Sequence, residues 1–198
     1  MLIGFTGSFG SGKSTILKMF ERLGALTVSA DKIVHQLLKR PQVKSEIKKR
    51  FGPQVFNGPD IDRKRLAKRI FSSETDRKDL EQILHPLVYK EVKGLQEAHP
   101  ERIIVAEIPL LLESGRQEDF DMLVLVTCEP ETAIKRLQQR GFSRQEAVRR
   151  LDTQMPVAEK VKRADYIIDN SGSMEEAERQ VGALWKRLST QGKGSLSE

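Results

Sequence analysis

A chain of 198 residues holds one domain, or one core with an inserted unit. With 38% hydrophobic and 31% charged residues and no apolar run near bilayer length, the composition excludes a membrane-spanning helix and a wholly disordered chain. The net charge of +6 points to nucleic acid or to a highly phosphorylated small substrate, and the single cysteine, Cys128, excludes an intrachain disulfide.

The chain begins with an apolar strand, Leu2-Ile3-Gly4-Phe5-Thr6. The sequence opens directly on that strand, so no signal peptide is expected, and a cytoplasmic protein without a membrane partner is expected with it. Gly7-Ser8-Phe9-Gly10-Ser11-Gly12-Lys13-Ser14 then fits G-x-x-x-x-G-K-[ST]. From Thr15 a helix follows, with apolar residues at 16, 19, 20 and 23. Strand, glycine loop and helix are the context that makes this motif a phosphate cradle. Gly7, Gly10 and Gly12 allow backbone angles that let successive N–H groups turn toward phosphate oxygens. The helix N-terminus adds partial positive charge. Lys13 reaches the β- and γ-phosphates, and the Ser14 hydroxyl can ligate Mg²⁺. Gly7, Gly10, Ser11, Gly12, Lys13, Ser14 and Thr15 are therefore the expected contacts to ATP.

Gly24 ends the helix, and Leu26 to Ala30 reads as a second strand, expected by chain order to lie beside the first. Asp31 stands at its carboxyl end, where ligands bind in open α/β sheets. Asp31 also precedes the helical stripe Ile33, Val34, Leu37, Leu38, so an N-cap is the competing role. His35 lies one turn further on.

From Lys39 to Pro100 the pattern is helical and basic. Arg40-Pro41 marks a break before a helix at Val43–Phe51, and Gly52-Pro53 and Asn57-Gly58-Pro59 are turns. Asp62 can cap a helix from Arg63 to Phe71, whose polar face carries Arg63, Lys64, Lys68 and Arg69. A longer helix opens at Thr75 or Asp76, and Pro86 should kink it beside His85. The basic residues are either a solvated face or a collar for an anionic acceptor.

Arg102 to Glu107 is a buried strand ending in a carboxylate, which in this kind of fold acts on Mg²⁺ directly or through water. Ile108 to Glu113 leaves the sheet, and Met122 to Thr127 is a fourth strand. Glu131 to Arg140 is a helix closed by Gly141, with Arg136 and Arg140 on one face. Ser143-Arg144-Gln145-Glu146 is a capping box. Between Lys135 and Arg163 nine basic residues face three acidic ones, the pattern of an arginine-rich lid over a transferring phosphate. Ala164 to Asn170 is a fifth strand, Met174 to Leu188 a closing helix, and 189–198 a tail expected to be disordered.

The elements add up to an α/β P-loop three-layer sandwich. It has a five-stranded parallel sheet (core about 1–31, 101–134 and 164–188), a helical acceptor-binding insertion (32–100) and an arginine-rich lid (135–163). A small-molecule kinase fits better than a GTP switch. Asp169-Asn170-Ser171-Gly172 spells D-x-x-G, but at the last strand, and no Asn-Lys-x-Asp occurs. No aromatic-basic stripe suggests nucleic acid as a partner.

Thr6-Gly7 through Ser14, Ala30-Asp31 with His35, Asp62-Arg63 before Leu66, Leu84-His85-Pro86-Leu87, Pro109-Leu110-Leu111 before Glu113, Gln139-Arg140, Gln154, and Ala164-Asp165 through Asn170 together resemble the dephospho-coenzyme A kinase family. The resemblance runs from the first strand to the last. It implies ATP and Mg²⁺ as cofactors and dephospho-CoA as acceptor, phosphorylated at its ribose 3′-hydroxyl. It makes Asp31 the base at that hydroxyl, Lys13 and Arg140 catalytic, and His35, Arg63, His85, Leu111 and Glu113 acceptor contacts. Arg136 and the turn at Asn170 become holders of the adenine. Another nucleotide or nucleoside kinase is the nearest rival. Two positions depart from the family pattern. Glu107 stands where Asp is usual, which puts direct contact with Mg²⁺ in doubt, and Phe9 replaces a smaller aliphatic, where only the backbone is expected to matter.

Overall fold

The computed structural model describes residues 1–191. The chain divides into two compact units, Met1–Ser29 with Ala98 onward, and Ala30–Glu97. The first contains the strands β1 (Leu2–Gly7), β2 (Leu26–Ser29), β5 (Ile104–Glu107), β6 (Met122–Thr127) and β7 (Tyr166–Asp169) and the helices α1 (Lys13–Arg22), α6 (Pro130–Gln139), α7 (Arg144–Asp152), α8 (Val157–Val161) and α9 (Met174–Gln191). The second contains α2 (Ala30–Leu37), α3 (Pro41–Phe51), the short hairpin β3 (Phe56–Asn57) and β4 (Asp60–Ile61), α4 (Arg63–Ser72) and α5 (Glu74–Ala98).

The five long-range strands form one parallel sheet in the order β2-β5-β1-β6-β7. Every residue of β1 is buried, which is why its run carries no polar alternation. Ile3 and Phe5 point to the face covered by α1 and α9, where they join Ile16, Met19, Phe20, Val181, Leu184 and Leu188 in the main core. Gly4 points the other way, and its missing side chain makes room for Leu111, Leu123 and Phe120.

The expected neighbour of β1 was β2, and the structure corrects this. β5 lies between them and pairs with both. Ile104, Val105 and Ala106 are fully buried, whereas Leu26, Thr27 and Val28 are half-buried. The more apolar run takes the central place, and the run with a threonine at its middle takes the edge. Ala30 also leaves the second strand, because α2 starts immediately after Ser29.

Within the second unit, Asp62 caps α4 by accepting from the amides of Lys64 and Arg65, as its sequence position requires. The turn at Gly58 is the tip of a small hairpin that chain patterning did not reveal, since each strand has only two residues. α5 opens one residue before Thr75, with Ser73 accepting from the Asp76 amide, and runs on through Pro86. Ser189, Thr190 and Gln191 extend α9, against the expectation of a tail from 189; the remainder of that tail lies outside the described residues.

Two glycines give opposite expectations. At Gly4 a Cβ would lie 2.7–2.9 Å from Leu123, Leu111 and Phe120. Gly4→Ala should therefore cost about 1–3 kcal/mol by overpacking. Gly94, inside α5, has nothing within 4 Å of such a Cβ. Gly94→Ala should stabilise by roughly 0.5–1 kcal/mol through helix propensity and unfolded-chain entropy. Urea unfolding of the two variants checks both signs.

Candidate active site

The phosphate loop begins at the carboxyl end of β1. Gly10 and Gly12 have φ of 81° and 90°, values that other residues rarely adopt. Close approach makes the same demand, because a Cβ on Gly10 would lie 2.9 Å from the Ala133 carbonyl and one on Gly12 would collide with the Asn170 amide. Gly12 starts α1 with no side-chain cap. The first-turn amides and the helix dipole are thus oriented as an anion site. Lys13 Nζ lies 2.9 Å from the Gly7 carbonyl and 3.1 Å from that of Ser8, spanning the loop that it helps to shape. Ser14 and Thr15 are exposed at the helix start, while the Ser11 side chain is wholly buried. The Ser11 amide donates to the Ser8 carbonyl at 3.2 Å, a turn inside the loop.

The loop is held from behind. The Ser11 carbonyl accepts from Asn170 Nδ2 at 2.8 Å and from Arg136 NH1 at 3.3 Å, and Arg136 NH2 donates to the Asn170 carbonyl at 2.9 Å. Asn170 is 6% exposed. The two residues expected at the adenine thus brace the phosphate loop. Cys128, just past β6, turns its thiol to the Gly10 carbonyl at 3.9 Å, and burial pushes that thiol up from its ordinary value against the opposing pull of Arg136.

Glu107 ends β5 in register with Phe5 on one side and Ser29 on the other, so its carboxylate belongs to the sheet's carboxyl edge, beside the strand that leads into the loop. Among the described residues no cluster of three or more ligating side chains exists. One hydroxyl at Ser14 and one carboxylate at Glu107 are nonetheless a fitting donor set for Mg²⁺. That ion keeps several waters and takes its other oxygens from substrate phosphates.

The arginine-rich segment is built as its sequence requires. Gly141, at φ 91°, turns the chain out of α6, and Ser143 and Glu146 form a complete capping box on α7. Hydrogen bonds from Ser143 hold the Glu146 carboxyl below its ordinary value. Its arginines differ in engagement. Arg144 grips Glu131 with two bonds of 2.9 and 2.6 Å, and this holds the Glu131 carboxyl below its usual range. Arg150 stacks over the rings of Phe9 and Phe142, at 5.3 and 4.7 Å. Arg140 is the C-cap residue of α6 and is exposed with no side-chain partner among the described residues. Of these three, Arg140 is the one with an uncommitted guanidinium.

Leu111 is fully buried and packs at Gly4, so it reaches a ligand only through backbone or shape. Glu113 accepts from Lys160 Nζ at 2.8 Å and from the Met155 amide at 3.2 Å, with Lys160 only 1% exposed. Glu113 ties the loop after β5 to the segment around α8. The sequence carried no signal for this pair, since Lys160 looks like one surface lysine among many.

In the second unit, Asp31 sits in the first turn of α2, exposed, with no hydrogen bond to its side chain among the described residues. Arg63 NH1 lies 2.9 Å from His35 Nδ1. An arginine can only donate, so Nδ1 accepts and the ring proton is on Nε2. His85 is exposed on α5 beside Pro86. Much of the expected basic collar is spent on local pairs: Arg40 with Glu91, Lys44 with Asp60, Arg50 with Asp76 and Asp79, and Arg69 with Asp76.

Phe9 overturns its own expectation. Its amide is held by Gln154 Oε1 at 2.9 Å, but its ring also packs edge-on against Phe142 at 5.5 Å and joins the small core of Ile134, Leu137 and Ala147. The side chain matters as well as the backbone. An aromatic inside a glycine-rich loop, with another at Phe142, was the available signal.

A parallel sheet in this order, with a glycine-and-lysine loop after its central strand, a carboxylate at the end of the next strand and a cationic segment after the fourth of its strands in chain order, defines a P-loop phosphotransferase of the small-molecule kinase type. The dephospho-CoA kinase family model matches residues 1–176. A dephospho-CoA kinase of Aquifex aeolicus is 39% identical over 189 residues, covering 94% of this chain and 96% of its own length. The solved dephospho-CoA kinase of Campylobacter jejuni superposes with a TM-score of 0.73 at 31% identity, over 98% of both chains. A shikimate kinase from Acinetobacter baumannii, at 16% identity and a TM-score of 0.53 over 96% of this chain and 93% of its own, shares the fold alone. The chain belongs to the dephospho-CoA kinase family.

The brace makes a prediction that an adenine contact does not. Arg136→Ala should raise the KM for ATP and for GTP by the same factor, about tenfold, because a buried carbonyl loses a charged donor. If Arg136 instead reads the base, ATP alone should suffer. Steady-state kinetics with both nucleotides separate the two.

Proposed function

We propose that this protein transfers the γ-phosphoryl group of ATP to the ribose 3′-hydroxyl of dephospho-CoA, giving coenzyme A and ADP. One observation carries the reading: the family match over residues 1–176 takes in the whole of the Ala30–Glu97 unit as well as the phosphate loop. Kinases that differ in acceptor share the loop, so agreement in this second unit is what bears on the acceptor. A cytoplasmic site of action goes with two soluble nucleotide substrates.

The chain's own groups divide the work. The amides of the phosphate loop and Lys13 hold the β- and γ-phosphates and offset their charge. Ser14 and Glu107 would hold Mg²⁺, which supplies neutralisation at the same oxygens. Glu107 keeps the charge of the aspartate usual there and is one methylene longer, and it would hold the ion directly or through water. Arg140 moves onto the transferring phosphoryl group, where charge redistributes most. Asp31 orients the 3′-hydroxyl and accepts its proton late, as a loose transition state requires. His35, Arg63 and His85 contact the acceptor. Leu111 and Glu113 serve as supports for neighbouring residues.

The first test offers dephospho-CoA, AMP, CMP and shikimate as acceptors with ATP and Mg²⁺. Dephospho-CoA should lead by orders of magnitude in kcat/KM. A preference for any of the others would move the protein to a neighbouring kinase specificity.

Two variants test the roles. Asp31→Asn should fold and bind ATP normally while transfer falls roughly a hundred to ten thousandfold, the usual worth of a general base. Full activity in a well-folded variant would remove Asp31 from the mechanism. Arg140→Ala should lower kcat about a hundredfold and leave ATP affinity nearly intact, since its contact forms chiefly in the transition state. A collapse of ATP binding at unchanged kcat would make it a ground-state ligand instead.

A further inference from the structure

The arginine-rich segment and the phosphate loop meet at one place. The Phe9 ring lies edge-on to Phe142, with centroids 5.5 Å apart and planes at 82°. The Arg150 guanidinium covers both rings, at 5.3 Å from Phe9 and 4.7 Å from Phe142. Gln154 Oε1 accepts from the Phe9 amide at 2.9 Å. Val148 and Leu151, on the same helix as Arg150, pack with Phe9 and Phe142 on the cluster of Ile134, Leu137 and Ala147. The third residue of the phosphate motif is therefore fixed in backbone by one side chain of this segment and in side chain by two others.

We propose that Phe9 is a positioning residue that couples the arginine-rich segment to the phosphate loop. Phe9 touches no reacting atom. It acts through the segment to which it is stacked. Glycine loops gain their anion-binding geometry from flexible residues, and flexibility has an entropic cost when the loop must hold one shape. Stacking a ring of that loop into the α6–α7 core keeps Gly10 and Ser11 in their binding conformation. The same contact holds α7, and with it the segment that begins at Arg140, over the loop. Arg150 thereby has a structural use, distinct from the role proposed for Arg140. A small aliphatic at position 9 would keep the Gln154 bond but not the stack.

The inference rests on the kinase reading for its kinetic arm, and an exchange measurement stands apart from that reading. In Phe9→Ala, amide hydrogen exchange should quicken about tenfold or more in residues 142–154 and in 8–12 together, the size expected from losing an aromatic pair and a cation–π contact. Phe9→Trp should restore slow exchange. With ATP and dephospho-CoA, Phe9→Ala should lose about tenfold in kcat with a smaller change in the KM for ATP, and Phe9→Trp should recover most of it. Arg150→Met keeps both rings and serves if Phe9→Ala does not fold. Its loss should be smaller, and combining it with Phe9→Ala should add little, the mark of coupled residues. Independent, multiplying effects would instead make Arg150 a phosphate ligand and overturn the proposal. So would faster exchange confined to residues 142–154, or wild-type kcat in Phe9→Ala. If the wild-type protein did not phosphorylate dephospho-CoA, the functional reading would fail while the exchange result still decided the coupling.

Discussion

The carbonyl of Ser11 is the point on which the catalytic unit depends. It is buried in the phosphate loop and satisfied by Asn170, just past the end of β7, and by Arg136, from the last turn of α6. An unpaired buried carbonyl is costly, and here its partners are one neutral amide and one guanidinium that also binds the Asn170 carbonyl. These three bonds join the carboxyl end of β1, the last strand and a helix from the other side of the sheet. Glycine at position 12 is required by the same contact, since a side chain there would occupy the place of the Asn170 amide. The loop's shape is thus set by groups more than a hundred residues away as well as by its own glycines.

The arginine-rich segment shows how one composition can hide several jobs. By charge alone its arginines are equivalent. In the structure Arg144 is clamped to Glu131, Arg150 lies on two aromatic rings, Arg136 braces the loop and Arg140 projects without a partner among the described residues. Structural ties remove cations from the pool available to a phosphate; Arg140, exposed like Arg163 but at the end of the helix that carries Arg136, is the candidate for the reacting centre. The same sorting applies to the Ala30–Glu97 unit, where Arg40, Arg50 and Arg69 are engaged by carboxylates of their own unit and Arg63 faces His35.

Much of this was legible beforehand. The phosphate loop announces itself by spacing, the buried strands by unbroken apolar runs, Asp62 by its place before a helical stripe, and the α7 cap by Ser143 and Glu146. Spatial order was not legible. Adjacency in the chain suggested β2 beside β1, and only the relative burial of Thr27 against Val105 explains why β5 intervenes. Side-chain pairing was hidden for a similar reason. Lys160 with Glu113, and Phe9 with Phe142 and Arg150, join residues whose separation along the chain leaves no periodic trace.

The closing helix carries a lesson about boundaries. The family match ends at residue 176, yet Ala177, Val181, Leu184 and Leu188 of α9 are essentially unexposed and belong to the same core as Ile3, Phe5 and Ile16. The segment that the family model matches is therefore shorter than what must be present to fold, although the Aquifex aeolicus relative aligns over 94% of this chain. A chain trimmed to residues 1–176 would keep every residue assigned to catalysis and lose the apolar cover that α9 gives one sheet face, leaving Phe5, Val124 and Ile168 more open to water. A fragment that keeps this cover must run at least to Leu188, through a helix to which no catalytic role is assigned.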